Sequence, residues 1–467
     1  MNNKKVKIVN TNQDNKDGAL ICPSCSSSDV TYDIKKKVLK CNYCSFTFDE
    51  KPNSELIKSI EQENGEIRGS GTIDIKKNPK KVSLICRGCG SKVIINTEET
   101  LNQRCHWCHS ILSVNKQRED GIIPDEILPF SIEKEEAIKK IEKFIQKKKI
   151  FGNNKFYKEY NKEKIIGVYL PYVLYDASGH AKLKGEGEKF FYPFRRILQT
   201  IFSKNENIYK DSKVYDAKVY KISRDFDFTL NQLSTESNKE YQNNNIINSI
   251  MPFDTENCVQ YNSNYLYGYR YVIRNINIEE LKKKATKQMR GIIRYSMHPY
   301  IKKYNRGVHW KEENIKINSE RWTTVYLPVW LYSYKEKDEI DYIIVNGRTG
   351  EINGKVPLNK LVNDLSAIVL YSFEIVLIII IIIFWINNPY NKIFVVATVL
   401  IGIIMVLTLF FPRILKLIYH RTKSRHFYEK ETKHSIKNII QEDLYMKKRY
   451  NLKNRKIEGC NDSKLLD

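Results

Sequence analysis

Two nine-residue stretches, VYLPYVLYD at 168–176 and VYLPVWLYS at 325–333, are near copies of one another. Both are rich in β-branched and aromatic residues, so both read as strands. Pro171 and Pro328 hold matching places in them. Proline has no N–H to give a ladder, which predicts edge strands or strand starts. A helical run precedes each copy. The first is SIEKEEAIKKIEKFIQKKK (131–149), with Ser131 as N-cap and Ile138, Ile141 and Ile145 on one face. The second starts at Asn277, with Glu280 in capping-box position, and continues IEELKKKATKQMRGIIRYSM. Helix then aromatic strand, twice over, predicts a duplicated α+β domain spanning 122–360. Within it, IIVNGRTGEINGKVP (343–357) predicts a hairpin turning over Asn346–Gly350. The Asn-, Lys- and Ser-rich stretch 204–250 predicts a loop-heavy insertion.

The N-terminal part is organised by cysteine. Eight of the ten cysteines form four Cys-x-x-Cys pairs. Cys22, Cys25, Cys41 and Cys44 make one cluster; Cys86, Cys89, Cys105 and Cys108 make another, offset by 64 residues throughout. In each, fifteen residues separate the two pairs, enough for a small hairpin to return the second pair to the first. Four soft thiolates in a tetrahedron suit Zn²⁺. The expectation is two structural zinc ions in two small β-type zinc ribbons with four cysteine ligands each, at 21–50 and 83–114. A linker with a short helix (51–82) separates them and a polar, disordered segment (1–20) precedes them. All four positions of each site are protein, so no vacancy is left for a catalytic water. A redox dithiol is the alternative for any one pair; four pairs in two matched frames argue against it. His106 and His109 would be redundant as ligands. Cys258 and Cys460 read as ordinary free thiols.

The chain has 467 residues and a formal net charge of +24. That charge admits nucleic acid or an anionic surface as partner. Lysines outnumber arginines 59 to 19, however, and guanidinium is the better base and phosphate reader, so compositional drift explains the charge more simply. The basic residues inside the ribbons are few: Lys35, Lys36, Lys37 and Lys40 in one, Arg87, Lys92 and Arg104 in the other. No P-loop, His-Glu-x-x-His or Gly-x-Ser-x-Gly occurs. GSG (69–71) and KGEGEK (184–189) read as turns. Asp176, His180 and Glu186 read as turn residues rather than as a catalytic set. No catalytic residue is assigned.

Two apolar runs follow, at 367–386 and 393–411. About 20 apolar residues span a bilayer, so they predict a two-helix transmembrane hairpin. The segment RILKLIYHRTKSRH after the second run is densely basic. By the positive-inside rule it puts both termini in the cytoplasm of a multi-pass protein of the bacterial cytoplasmic membrane. The tail (412–467) then reads as a basic cytoplasmic segment close to anionic lipid. Glu374 lies inside the first run, where a protonated carboxyl bonded to Thr408 is the plain alternative to a functional role. No apolar leader is present at the N-terminus, which agrees with reduced thiols.

CPSC…CNYC and CRGCG…CHWC resemble the zinc ribbon of transcription factor IIB. ILPF at 127–130, the acidic helix start with Ala137, VYLPVWLYSY and VNGRTGEINGKVP are similar to blocks in a bacterial family of ribbon-bearing membrane proteins. The resemblance covers roughly 80–410, and the chain departs from it in having two ribbons. Some relatives of this kind belong to phage-shock-type envelope stress modules, where they help recruit a peripheral protein. The resemblance therefore implies a non-enzymatic, membrane-anchored scaffold that recruits a protein partner. The alternative is a membrane-tethered nucleic-acid binder.

Overall fold

A computed structural model describes residues 6–9, 20–56, 59–75, 81–85, 92–96, 102–104, 111–113, 123–149, 152–190, 216–239, 249–336, 339–357, 359, 432–441 and 443–450, with seven isolated positions between 372 and 383. In chain order, β1 (Val6–Val9) is followed by the ribbon strands β2 (Val30–Asp33), β3 (Val38–Cys41) and β4 (Thr47–Phe48), then α1 (Asn53–Leu56) and β5 (Gly65–Gly69). Two hairpins come next, β6 (Lys81–Ile85) with β7 (Lys92–Asn96) and β8 (Asn102–Arg104) with β9 (Ile111–Ser113). The larger body has β10 (Glu126–Ile127), α2 (Lys134–Gln146), α3 (Asn154–Glu159), β11 (Ile166–Phe190), β12 (Asp216–Glu236), β13 (Val259–Gln260), β14 (Arg270–Tyr271), α4 (Ile278–Ser296), α5 (His298–Ile301), β15 (Val308–Glu336), β16 (Glu339–Asn346) and β17 (Ile352–Gly354). Finally β18 (Lys433–Lys437) and β19 (Asp443–Tyr450) return to it.

Twelve of these strands form one sheet, ordered β1-β5-β15-β11-β12-β18 along its main path and curled as a half-barrel. At its centre the two near-copied stretches pair with each other, antiparallel. Leu170 and Leu327 hold the same place in the two copies and lie opposite one another, so a local two-fold passes between them. The prolines obey that symmetry. Both sit in inner strands, against the edge-strand expectation. Ser237 N–H donates to the Pro171 carbonyl and Gly347 N–H to the Pro328 carbonyl. In an antiparallel strand a residue's N and C=O face the same side. Each proline nitrogen therefore faces outward at the point where the outer neighbour ends, at Glu236 of β12 and at Asn346 of β16. No ladder bond is lost at either place.

The two faces of the central strands bury different clusters. Val168, Leu170, Tyr172 and Leu174 pack on one face with Leu128, Ile250, Met251 and Phe253. On the other, Tyr169 packs with α2, and Val173 and Tyr175 with α4. Helix α2 buries Ala137, Ile141 and Ile145, and α4 buries Leu281, Ala285, Met289, Ile292 and Ile293; both carry glutamates in the first turn, where the helix dipole favours them. The N-cap of α2 is Glu133 rather than Ser131, whose hydroxyl instead donates to the Arg348 carbonyl. Asn277 holds the N-cap position of α4 but makes no side-chain cap bond, so the expected capping box does not form; its Oδ1 accepts from Ile75 N–H instead.

The expected fold class is overturned. The protein is mostly sheet, with five short helices among the described residues, and four strands from outside 122–360 belong to its large sheet. β1 and β5 pair in parallel, and β5 pairs with β15. β18 and β19, from the stretch expected to be a basic cytoplasmic tail, pair with β12. β11 runs through KGEGEK, and β12 occupies 216–236 of the expected insertion. Their outer halves alternate one buried small or apolar residue with one polar residue, which keeps hydropathy low while giving a sheet its one dry face. Gly179 and Gly185 sit at register shifts in β11, where a Cβ would overlap the carbonyl oxygens of Lys316 and His309.

No helix among the described residues is long and apolar enough to cross a membrane. That overturns the expected two-span hairpin. The integral-membrane partner, the multi-pass placement in the bacterial cytoplasmic membrane and the lipid contact of the tail all rested on it. Most of 367–386 and all of 393–411, with Glu374 and Thr408, lie outside the described residues.

Candidate metal centre

Cys22, Cys25, Cys41 and Cys44 come together, with all four Sγ atoms within 4.8 Å of one another. Cys22 and Cys44 are 3.5 Å apart, sulfur to sulfur, and Cys25 and Cys41 3.6 Å. Four sulfurs about 2.3 Å from a tetrahedral ion would stand about 3.8 Å apart, so the set fits one metal ion with little adjustment. It could hold one such ion, and it is the one such cluster among the described residues.

Local backbone geometry makes the set, and it does so twice. Ser26 N–H bonds the Cys22 carbonyl at 2.9 Å and Ser45 N–H the Cys41 carbonyl at 3.0 Å. Cys22 N–H donates to Ser27 and Cys41 N–H to Phe46, each at 2.9 Å. Ser26 and Ser45, the residues just after each pair, both take positive φ, at 58° and 61°. That left-handed turn aims the next N–H, of Ser27 or Phe46, back at the second cysteine's sulfur. The Phe46 N–H draws the Cys44 thiol down to about 7, with the neighbouring thiols helping. The Ser27 N–H pulls Cys25 the same way, but burial and three neighbouring thiols leave it raised to about 12. Crowded thiols cannot all ionise without a cation, so the last protons leave when a metal enters.

The centre is built into the sheet. Cys22 and Cys41 are buried with Leu20, Val30 and Leu39 in one cluster with α2, Tyr169, Tyr265 and Trp330. Asn264 Nδ2 donates to the Val30 carbonyl at 2.6 Å, and Tyr265 O–H to the Glu50 carboxylate at 3.0 Å. The Tyr32 and Tyr265 rings lie 5.1 Å apart.

Cys86, Cys89, Cys105 and Cys108 lie outside the described residues, as do His106, His109, Arg87 and Cys460. The strands flanking Cys105 and Cys108 are described. Gln103 pairs with Leu112 and Arg104 with Ile111, the same register as Leu39 with Phe48 and Lys40 with Thr47 sixty-four residues earlier. Lys92 and Arg104 are strand positions there, whereas Lys35, Lys36 and Lys37 are exposed at the β2–β3 turn. Cys258 is buried, and burial pushes its thiol well up.

Asp176, His180 and Glu186 are not gathered. All three lie on β11, and four strand residues span about 13 Å. His180 bridges Asp225 and Asp227 at the surface, and Glu186 meets Lys311. Asp125 is a buried residue that local patterns did not flag. One carboxylate oxygen accepts from Gly71 N–H at 2.7 Å and the other from Thr324 N–H and O–H at 2.9 and 2.8 Å. The Gly69–Ser70–Gly71 turn wraps it, since side chains at Gly69 or Gly71 would overlap Asp125 or Thr324. Sequence placed no signal on Asp125 beyond its nearness to ILPF.

No family model matches the chain. It is similar to the uncharacterized protein YdjG of Bacillus subtilis (strain 168), at 23% identity over 239 residues, which is 51% of this chain and 65% of that protein. No solved structure matches.

Proposed function

We propose that the chain is a non-enzymatic scaffold. In it one structural zinc ion, held by Cys22, Cys25, Cys41 and Cys44, locks ribbon 1 onto the sheet and shapes a docking surface for a protein partner. The observation that carries the reading is that the four-sulfur set has no open position and has two of its cysteines in the core. A filled tetrahedron has structural chemistry, not hydrolytic chemistry. Aromatic side chains around the ribbon supply the kind of surface that protein partners favour. The test combines metal analysis with crosslinked capture. Zinc should co-purify and partner capture should disappear in a Cys22→Ser/Cys41→Ser chain. A chain that keeps all its partners after that change sinks the reading. Nucleic-acid binding is the second reading, favoured by the exposed Lys35, Lys36 and Lys37. It requires affinity for DNA or RNA that falls steeply with salt.

A further inference from the structure

We infer that the groove between ribbon 1 and the sheet takes an extended segment of a protein partner, laid along the free edge of β2 with a lysine or arginine side chain among the tyrosines. This rests on the docking role proposed above.

The groove holds about 780 Å³, within the roughly 300–1,000 Å³ of ordinary binding sites. β2 forms one wall and the start of α2, the 264–269 segment and Trp330 form the rest. β2 is the outer strand of its sheet, since it pairs with β3 alone. Alternation then decides which groups are free. Cys41 turns its N–H and carbonyl to Phe46 and Ser45, away from β2, so Val30 opposite it also faces outward. The Val30 carbonyl accordingly takes Asn264. Tyr32, two residues on, faces outward too, and its N–H and carbonyl meet no partner among the described residues. They offer one pair of ladder bonds to an added strand, the usual way a sheet edge binds a peptide.

Side chains around that edge set the chemistry. Tyr32, Tyr267 and Tyr269 present ring surface, and Tyr267 is exposed. Asp33, Glu133 and Glu135 supply three carboxylates against Lys35 and Lys134. Glu133 and Glu135 meet no cation among the described residues. In a chain of net charge +24, this groove has a local excess of negative charge. Aromatic faces with nearby carboxylates attract an ammonium or guanidinium group. A phosphate backbone would meet repulsion there, which argues against a nucleic acid in this groove.

The test is fluorescence anisotropy on the full chain. The probe is a labelled nine-residue peptide of alternating valine and threonine with one central lysine. Matched peptides carry glutamine or glutamate at the centre, and one carries N-methyl groups beside the lysine. The lysine peptide should bind about tenfold tighter than the glutamate peptide, a difference of about 1.4 kcal/mol. N-methylation should weaken it by a similar factor, because it removes the strand bonds. Glu133→Gln/Glu135→Gln should erase the charge preference, and Tyr267→Ala should weaken the lysine peptide; unchanged circular dichroism and metal content establish that these variants fold. Equal affinity for all central residues overturns the inference, as does indifference to the three substitutions. So does displacement of the peptide by an equimolar thymidine 20-mer. A partner whose capture needs the cysteines but not Glu133, Glu135 or Tyr267 overturns this groove and leaves the scaffold role standing.

Discussion

At the scale of single residues, buried carboxyls leave the clearest physical signature. Burial pushes Glu126 up to about 8; the charges of Asp125 and Asp176 add to this, while Asn53 and Arg321 oppose it. Burial likewise pushes Glu236 up to about 7, against Lys284. Both fold with a proton that an unfolded glutamate gives up near pH 4.3. Between that pH and about 8 the folded state binds more protons than the unfolded one, so stability falls as pH rises. The slope is at most roughly 1.4 kcal/mol per pH unit for each group. The urea midpoint should therefore drop between pH 5 and pH 8.5, and Glu236→Gln should flatten part of that drop. A midpoint that holds or rises over this range would contradict the buried, protonated state. Residue chemistry was partly legible beforehand. The cysteine spacing named the four sulfurs that meet, because ligand identity is local. Asp125 was not legible, because its importance comes from partners about 50 and 200 residues away.

At the scale of elements, β19 is held by one buried ionic knot. Arg224 sits at an inward position of β12, almost fully enclosed, and its Nη1 donates to the Asp443 carboxylate at 2.7 Å. Tyr304 O–H donates to the same carboxylate at 2.7 Å, and Lys303 joins it. Burial opposes the charge of Asp443, yet these donors hold its carboxyl below the usual range. Removing one member strands the others, so Asp443→Ala should cost about 3–5 kcal/mol. It should also expose 443–450 to limited proteolysis, while Arg224→Met with Asp443→Leu should recover part of the loss. Protease resistance equal to the parent's would show that β19 is held by its ladder alone. Helices α2 and α4 stood out in the sequence by their apolar stripes. The outer half of β11 did not, because glycine and alanine fill most of its inward positions, where strand signals expect large residues; in β12 the inward Ile222, Phe226 and Phe228 are diluted by polar residues on either side. Arg224 even reverses the pattern, a cation on the dry side.

For the whole molecule, metal should matter to more than the ribbon. Cys22, Cys41, Val30 and Leu39 share one buried cluster with Tyr169, Trp330 and α2. A strong chelator, or Cys22→Ser, should therefore lower the thermal midpoint of the sheet as well as unfold the ribbon, read from tryptophan emission, three of whose five sources, Trp310, Trp322 and Trp330, lie on β15. A ribbon hung on a flexible linker would unfold and leave that emission unchanged. The central ladder is a whole-molecule feature of another kind: two similar segments about 150 residues apart pair across a local two-fold, and each proline falls where an outer strand stops.

The sequence by itself determined the sulfur set, the two helical stripes and the likeness of 168–176 to 325–333, since each depends on spacing within one segment. Tertiary structure alone decided that those two stretches face each other and that ribbon 1 is clamped by 261–271. It also decided that strands from both ends of the chain join one sheet. Strand pairing is set by which distant edge completes the ladder and which face is dry, and neither is written in a local window. The membrane hairpin expectation is corrected on a different ground: it came from two apolar runs in tandem, and no helix among the described residues is long and apolar enough to cross a membrane.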